Sequence, residues 1–554
     1  MRRFPVVLGL AYLFMLAAPV TALAGIAADT VCKEKKSKAT GRKTLDVLTA
    51  FGRNGKIANL AKLTSDVSKA QSKFTKSFTK AEFTGTGDPR GCETTDDAGN
   101  VEAMVDPFVL DVVAALDPGI GSDFLVNTYT TDDQKVAGIA PYGAGGFVVV
   151  WQSLGSSGTD TSRESIQGQR FDSAGSPIGS QFQVNTYTTL QQLNPRVGPD
   201  GAGGFVVVWD TFGGGGTDTS FRSIQGQRYD STGTPVGGEF QVNTTTTQRQ
   251  EKPALGSDGA GGFVVVWESP YGSGSDGSLL GVHAQRFDST GAPVGGEFQV
   301  NTYTTSNQED AAVGADGAGG FVVVWESDGS GGTDVSGFSI HGQRYDGSGT
   351  PVGGEFQVNT YTTNWQRRPA IAADGTGGFV VVWESYGGGG MVISSINVHG
   401  QRYDGSGTPV GGEFQVNTYT TDGQVSTTIG SDGAGGLIVT WSSDGSSGTD
   451  QSDFSVQGQR YDSSGTPFSS QFQINTNTVG TQGGSTAGPD GAGGFWVVWS
   501  GDSDGSGDGG VWMRRVKGPV PIVIPATSYT GSLMLGFLIG LALARALRRS
   551  ARQC

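Results

Sequence analysis

Seven glutamines stand at a single interval in this chain: Gln134, Gln192, Gln250, Gln308, Gln366, Gln424 and Gln482, each 58 residues after the one before. An amide both donates and accepts hydrogen bonds. Seven amides facing one axis would form a polar ring suited to water, an ion or a sugar. The competing use is local, with each amide bonding the backbone of its own loop. Beside the glutamines the sequence varies: Asp132-Asp133, Arg249, Glu309-Asp310, and Trp365 with Arg367 and Arg368. Trp365 is the sole tryptophan in that set of loops, and next to two arginines it is the best single ligand contact. Converging carboxylates would support cleavage of glycosidic bonds. Only Asp132-Asp133 and Glu309-Asp310 are paired, and they fall in repeats that are not adjacent.

Other chemistries have weaker support. His283, His341 and His399 share one repeat position, where other copies carry Gln167, Gln225 and Gln457, so they do not read as a metal cluster or a triad. Gly501-Asp502-Ser503-Asp504-Gly505 matches a nucleophile pattern but lacks the strand–turn–helix context that pattern needs. Asp502, Asp504 and Asp508 place oxygens closely on a flexible backbone, which suits calcium, yet the distal bidentate glutamate is missing. No catalytic residue is assigned, and calcium is the one cofactor the sequence leaves open.

The elements that would position these residues follow from the interval. FxVNT phrases begin at Phe124, Phe182, Phe240, Phe298, Phe356, Phe414 and Phe472, and FVVVW-type phrases end at Trp151, Trp209, Trp267, Trp325, Trp383, Trp441 and Trp499. A third phrase, GQR(F/Y)D, places Arg170, Arg228, Arg286, Arg344, Arg402 and Arg460. A period of this size marks a repeat architecture. Each unit reads as four antiparallel strands, the size of a propeller blade. The FVVVW strand is apolar on both faces and belongs in the interior. The repeat tryptophans are core. The GQR arginine is expected to pair with the acid after the tryptophan: Asp210, Glu268, Glu326 or Glu384. The copies are out of phase, since a lone strand at 124–128 precedes the first unit and the last unit lacks its fourth strand. Joining them closes a ring and removes two exposed edges.

The flanking segments give a location. Arg2 and Arg3 precede an apolar run that ends near Ala22-Leu23-Ala24, the form of a cleaved export signal. Lysine and arginine crowd residues 25–80, whereas Lys135 and Lys252 are the only lysines from 124 to 510. An acidic body argues against a nucleic-acid partner. Apolar positions from Ile57 to Phe78 recur at helical spacing, and Cys32 and Cys92, both outside the cell, are expected to form a disulfide. Thr530–Ala544 with the following Arg545, Arg548, Arg549 and Arg552 reads as a single membrane helix with its C-terminus, and Cys554, in the cytoplasm.

Two resemblances add to this. The repeats W-E-S, GQR-x-D and EFQVNT resemble those of large exported bacterial proteins, which implies a propeller-like, extracytoplasmic, binding or adhesive role and no catalytic residues. The C-terminal segment after GPVPIVIPATS resembles bacterial sorting tails of the PEP-CTERM type, without the Pro-Glu-Pro.

The expectation is therefore a mainly β chain. It comprises a signal peptide at 1–24, a small disulfide-linked helical module at 25–118, a seven-bladed β-propeller with strand-exchange closure at 119–518, and a linker, transmembrane helix and basic tail at 519–554. Its expected role is a non-catalytic binding, adhesion or scaffold protein, exported and either held by the tail or released after processing, that presents one loop face to a carbohydrate, protein or matrix partner. The alternative is an exported polysaccharide hydrolase or lyase that uses loop carboxylates.

Overall fold

The computed structural model describes residues 119–516, apart from short loop stretches such as 271–278, 388–395 and 503–508. The signal peptide, the helical module with Cys32 and Cys92, and the C-terminal helix lie outside the described residues.

Seven four-stranded antiparallel sheets are present, and their innermost strands stand side by side around one axis. Blade 4 shows the plan. Its inner strand is Gln308–Ala315, followed outward by Phe321–Asp328, Phe338–Tyr345 and Pro351–Gln357. Blade 7 has only three consecutive strands, Gln482–Pro489, Phe495–Gly501 and Gly510–Val516. Its fourth is Gly119–Leu125, where Phe124 faces Met513 and Leu125 faces Trp512. The ring thus closes by strand exchange. The closing strand begins five residues earlier than the sequence reading placed it. The outer strand likewise starts sooner in the first five blades, whereas that of blade 6 is only Phe472–Gln473. Pro235–Gln241, for instance, pairs as a strand in place of the expected turn. Gly237, at φ 71°, provides the bulge that lets that stretch remain in the ladder.

The core explains the doubly apolar strand. Val206 and Val208 enter one cluster with Phe263, Val265 and Trp267 of the next blade. Phe205, Val207 and Trp209 enter the preceding cluster with Val148 and Val150. Alternation at a period of two therefore feeds two different inter-blade cores. At the seam Val126 joins Trp151, Trp496 and Met513 in the same way. All seven repeat tryptophans are fully buried, each contributing on the order of 2–3 kcal/mol.

The GQR arginines do not pair as expected. Arg228 Nη2 lies 2.9 Å from Asp200 Oδ2, and Arg286, Arg344 and Arg402 repeat the contact with Asp258, Asp316 and Asp374. Each also donates to turn carbonyls of the next blade, as Arg286 does to Gly347 and Ser348 at 2.6 Å. Register is the reason. Arg228 faces Val206, whereas Asp210 faces Ile224. Four residues of strand, roughly 13 Å, separate arginine and acid.

Candidate functional site at the channel mouth

The acids after the tryptophans are thus free for another task, which begins with the inner strands. Each inner ladder slips shortly after its start. Glu309 faces Glu326, and the next pair is Ala312 with Val324. The residue at the slip adopts positive φ: Asn194 (52°), Lys252 (52°), Asp310 (50°), Arg368 (51°) and Ser426 (55°). Such φ values are uncommon outside glycine. They are held from the neighbouring blade. The amide of Asp310 donates to Glu268 Oε1 at 2.6 Å, that of Arg368 to Glu326 Oε2 at 3.0 Å, and that of Ser426 to Glu384 Oε1 at 2.6 Å. In neutral blades Gln152 receives Asn194 N and Ser442 receives Gly484 N. In five of the seven blades the residue after the tryptophan therefore latches one blade to the next at the axis. Periodicity alone does not reveal this latch; its signal in the sequence is the polar residue that follows every repeat tryptophan.

Charge gathers where blades 2 to 5 meet. Lys252 Nζ lies 2.8 Å from Asp310 Oδ1 and 3.2 Å from Glu268 Oε1. Arg222 spans Asp210 (3.1 Å) and Glu251 (2.9 Å), and Arg249 also meets Glu251 (2.9 Å). Arg368 reaches Glu384 at 3.5 Å. Glu309 and Glu326 have no such cation: among the described residues no ion pair reaches either. Burial, with the charges of Asp310 and Glu309, pushes the Glu326 carboxyl up to about 8. Burial also raises Glu268 to about 7 against the pull of Lys252, and Asp210 to about 6 against Arg222. The attraction of Lys252 is shared between Glu268 and Asp310, so burial wins at the fully buried Glu268. Glu309, half-buried, is raised mainly by burial, with Asp310 and Asp328 adding and Lys252 and Arg367 opposing.

The three residues of blade 5 named from sequence do come together here. Trp365 is 51% exposed, and its ring lies 6.0 Å from that of Tyr386. The Arg367 guanidinium lies 3.8 Å above Phe338 and 4.8 Å from Trp365. The seven glutamines do not line the mouth. All are buried. Gln366 Nε2 donates to Thr363 O at 3.3 Å while its Oε1 accepts Trp383 Nε1 at 3.1 Å. Gln134, Gln308, Gln424 and Gln482 repeat both bonds, and Gln192 and Gln250 repeat the loop bond. The polar ring gives way to the local use, since each buried amide bonds a carbonyl of its own loop two or three residues upstream.

The remaining candidates lie elsewhere. Asp133 is committed to Lys135 Nζ at 2.8 Å and to Gly509 N at 3.2 Å. His341 and His399 pack against Trp325 and Trp383 and meet Glu355 and Glu413 at 3.1 and 2.8 Å, so they are parts of the blades. Asp502 lies on the loop after the second strand of blade 7, and its carbonyl accepts Gln482 Nε2 at 2.7 Å. Its proposed calcium partners Asp504 and Asp508 lie outside the described residues. Among the described residues no three metal-ligating side chains cluster.

No protein-family model matches the chain, and no curated protein matches it in sequence. Solved structures do resemble it. A protein of unknown function from Dyadobacter fermentans is similar with a TM-score of 0.44 and 10% identity, over 72% of this chain and 98% of that one. An α-L-arabinofuranosidase from Fusarium graminearum has a TM-score of 0.40 and 12% identity, over 72% and 98%. A polysaccharide lyase has a TM-score of 0.41 and 8% identity, over 72% and 93%. These likenesses are of fold. Among the similar structures are ones named as an α-L-arabinofuranosidase and a polysaccharide lyase. The expectation of a non-catalytic binding, adhesion or scaffold protein is corrected accordingly. A second finding bears on it: of the acids expected to pair with the GQR arginines, Glu268, Glu326 and Glu384 are buried and accept backbone amides from the inner strand of the next blade.

Proposed function

We propose that this chain is an exported glycan-cleaving enzyme, a hydrolase of glycosidic bonds working at the mouth of the propeller. The observation that carries the reading is Glu309. It is a half-buried carboxyl without an ion pair among the described residues, directly opposite the neutral-leaning Glu326 and next to Asp310, which Lys252 holds. Like charges facing each other across strands destabilise a sheet. Such an arrangement is a cost that catalysis explains.

In the reaction the raised carboxyl of Glu309 gives its proton to the glycosidic oxygen as the bond from that oxygen to the anomeric carbon breaks. A water oxygen bonds to the same carbon, and Asp310 takes the proton that the water loses. Solvent then returns the proton from Asp310 to Glu309. Glu326 acts behind them as a positioning residue, fixing the blade-5 bulge through Arg368 N. The export signal, the Cys32–Cys92 bridge and the membrane tail read from the termini suit a substrate outside the cell.

The test is release of reducing ends from a panel of neutral and acidic polysaccharides. Glu309→Gln and Asp310→Asn should each lower the rate by roughly 100-fold or more, with unchanged melting temperature. A Glu309→Gln protein with wild-type activity, or no release from any polysaccharide, would remove the reading. Release of unsaturated, ultraviolet-absorbing ends would replace hydrolysis with elimination.

A further inference from the structure

Blade 5 holds a second arrangement that acid–base chemistry does not use. At the positions of Trp365 and Tyr386 the other blades carry Asp133 with Leu154, Gln191 with Phe212, Arg249 with Pro270, Asn307 with Asp328, Gly423 with Asp444, and Thr481 with Asp502. Only blade 5 has two rings there. Both are exposed, Trp365 at 51% and Tyr386 at 38%. Their backbones are tied, with Tyr386 N donating to Trp365 O at 2.8 Å. The indole also sits over Gly337, where a Cβ would lie 2.6 Å from Trp365 Cδ1. A side chain at Gly337 would unseat the tryptophan.

The Arg367 guanidinium borders these rings, and Arg368 follows it on the same strand. Arg367 has no ion pair among the described residues, although Glu384 faces it across the ladder, and its Nε is buried without a partner. Arg368 spends one nitrogen on a 3.5 Å contact with Glu384 and is otherwise exposed, with 57% of its side chain accessible. A guanidinium that passes over nearby protein carboxylates is available to a carboxylate brought by a ligand, which its planar fork matches. Rigid exposed aromatic faces take the apolar face of a sugar ring at little entropic cost.

We infer that blade 5 is a subsite for a sugar-acid residue of an acidic polysaccharide, with the ring on Trp365 and Tyr386 and the acid group on Arg368 beside Arg367. The inference rests on the glycan-cleaving reading and names its substrate class. Repulsion from the mouth is limited, because burial drives Glu326 and Glu384 toward their neutral forms.

The experiment is calorimetric titration of the full chain carrying Glu309→Gln, so that bound sugar persists. The probes are an oligogalacturonate, a sulfated galacto-oligosaccharide and a neutral arabino-oligosaccharide. The oligogalacturonate should bind most tightly, and more weakly as salt rises. Trp365→Ala should weaken it about 10-fold, a loss of about 1.4 kcal/mol. Arg368→Gln should weaken the acidic probe about 10-fold and leave any binding of the neutral one alone. Melting temperatures within a few degrees of the parent confirm that the variants fold. Preference for the neutral probe, indifference of the oligogalacturonate to Arg368→Gln, or tighter binding of the sulfated probe would overturn the uronate subsite while leaving hydrolysis intact. Binding as described without turnover by the wild-type chain would instead overturn the enzyme reading and keep the subsite.

Discussion

Glu309 and Glu326 face each other directly across the first two strands of blade 4, and among the described residues no cation lies in ion-pair range of either. In blade 3 the equivalent facing pair is Glu251 and Glu268, but there Arg222, Arg249 and Lys252 supply compensation. The blade-4 pair is relieved instead by protonation, and that makes stability depend on pH.

The Glu326 carboxyl is raised by burial from the ordinary glutamate range to about 8. A raised carboxyl favours folding fully below its unfolded pKa, and that benefit is lost as pH rises through the folded value. Between about pH 5 and 8 Glu326 should cost the wild type up to about 1.4 kcal/mol per pH unit. Glu326→Gln should abolish that slope and melt higher than wild type above pH 8. Parallel melting curves of the two proteins across this range would refute the neutral Glu326.

The anchoring glutamines should matter for stability alone. Gln366→Ala leaves Trp383 Nε1 and Thr363 O without their partner inside the blade. A loss of roughly 1–3 kcal/mol is expected in chemical denaturation. Glycan binding by the folded fraction should be unaltered, since the amide does not reach the mouth.

The seam should be the weakest point against aggregation. Asp123 Oδ2 accepts Thr476 N at 2.6 Å and Asn127 Oδ1 accepts Val511 N at 2.8 Å, so the closing strand is tied to blades 6 and 7. Deleting residues 119–127 exposes the edge of Gly510–Val516 and opens the core around Val126. Light scattering after size exclusion should then show association. A monodisperse monomer of unchanged melting temperature would contradict the closure.

The histidines should be replaceable only together with their partners. Burial raises the Glu413 carboxyl, but His399 and the donors from Thr360 and Tyr361 outweigh it and hold the pKa low. A lowered carboxyl stabilises above its unfolded pKa, and that stability is lost as pH falls through the folded value. Blade 6 solves the same contact with Gln471 donating to Gln457 at 3.3 Å. His399→Gln with Glu413→Gln should therefore melt near wild type at neutral pH, within about 1 kcal/mol, and should lose less stability on acidification. His399→Ala alone should be the more damaging change.

Much of the fold was legible because a repeat writes its constraints locally. The 58-residue step, the two-faced Val206–Trp209 stretch and the unmatched strands at the ends specify seven blades and a shared last blade before any contact is known. Trp365 was legible as an exposed contact because it breaks the repeat. Arg228 was misassigned because spacing along a chain does not reveal which end of a strand two residues share. Both uses of the glutamines were legible, but only the hydrogen bonds of the folded blade choose loop anchoring over a ring.

By itself, then, the sequence settled the architecture of the body: period two inside a strand selects buried faces, and period 58 selects the blade. The tertiary structure alone decided the chemistry at the mouth. Register across the ladder put Glu309 against Glu326, and the stacking of consecutive blades brought Glu268 to the amide of Asp310 one blade away. Hydrogen bonds and charge depend on a few ångströms between strands, a distance that hydrophobic alternation leaves unspecified.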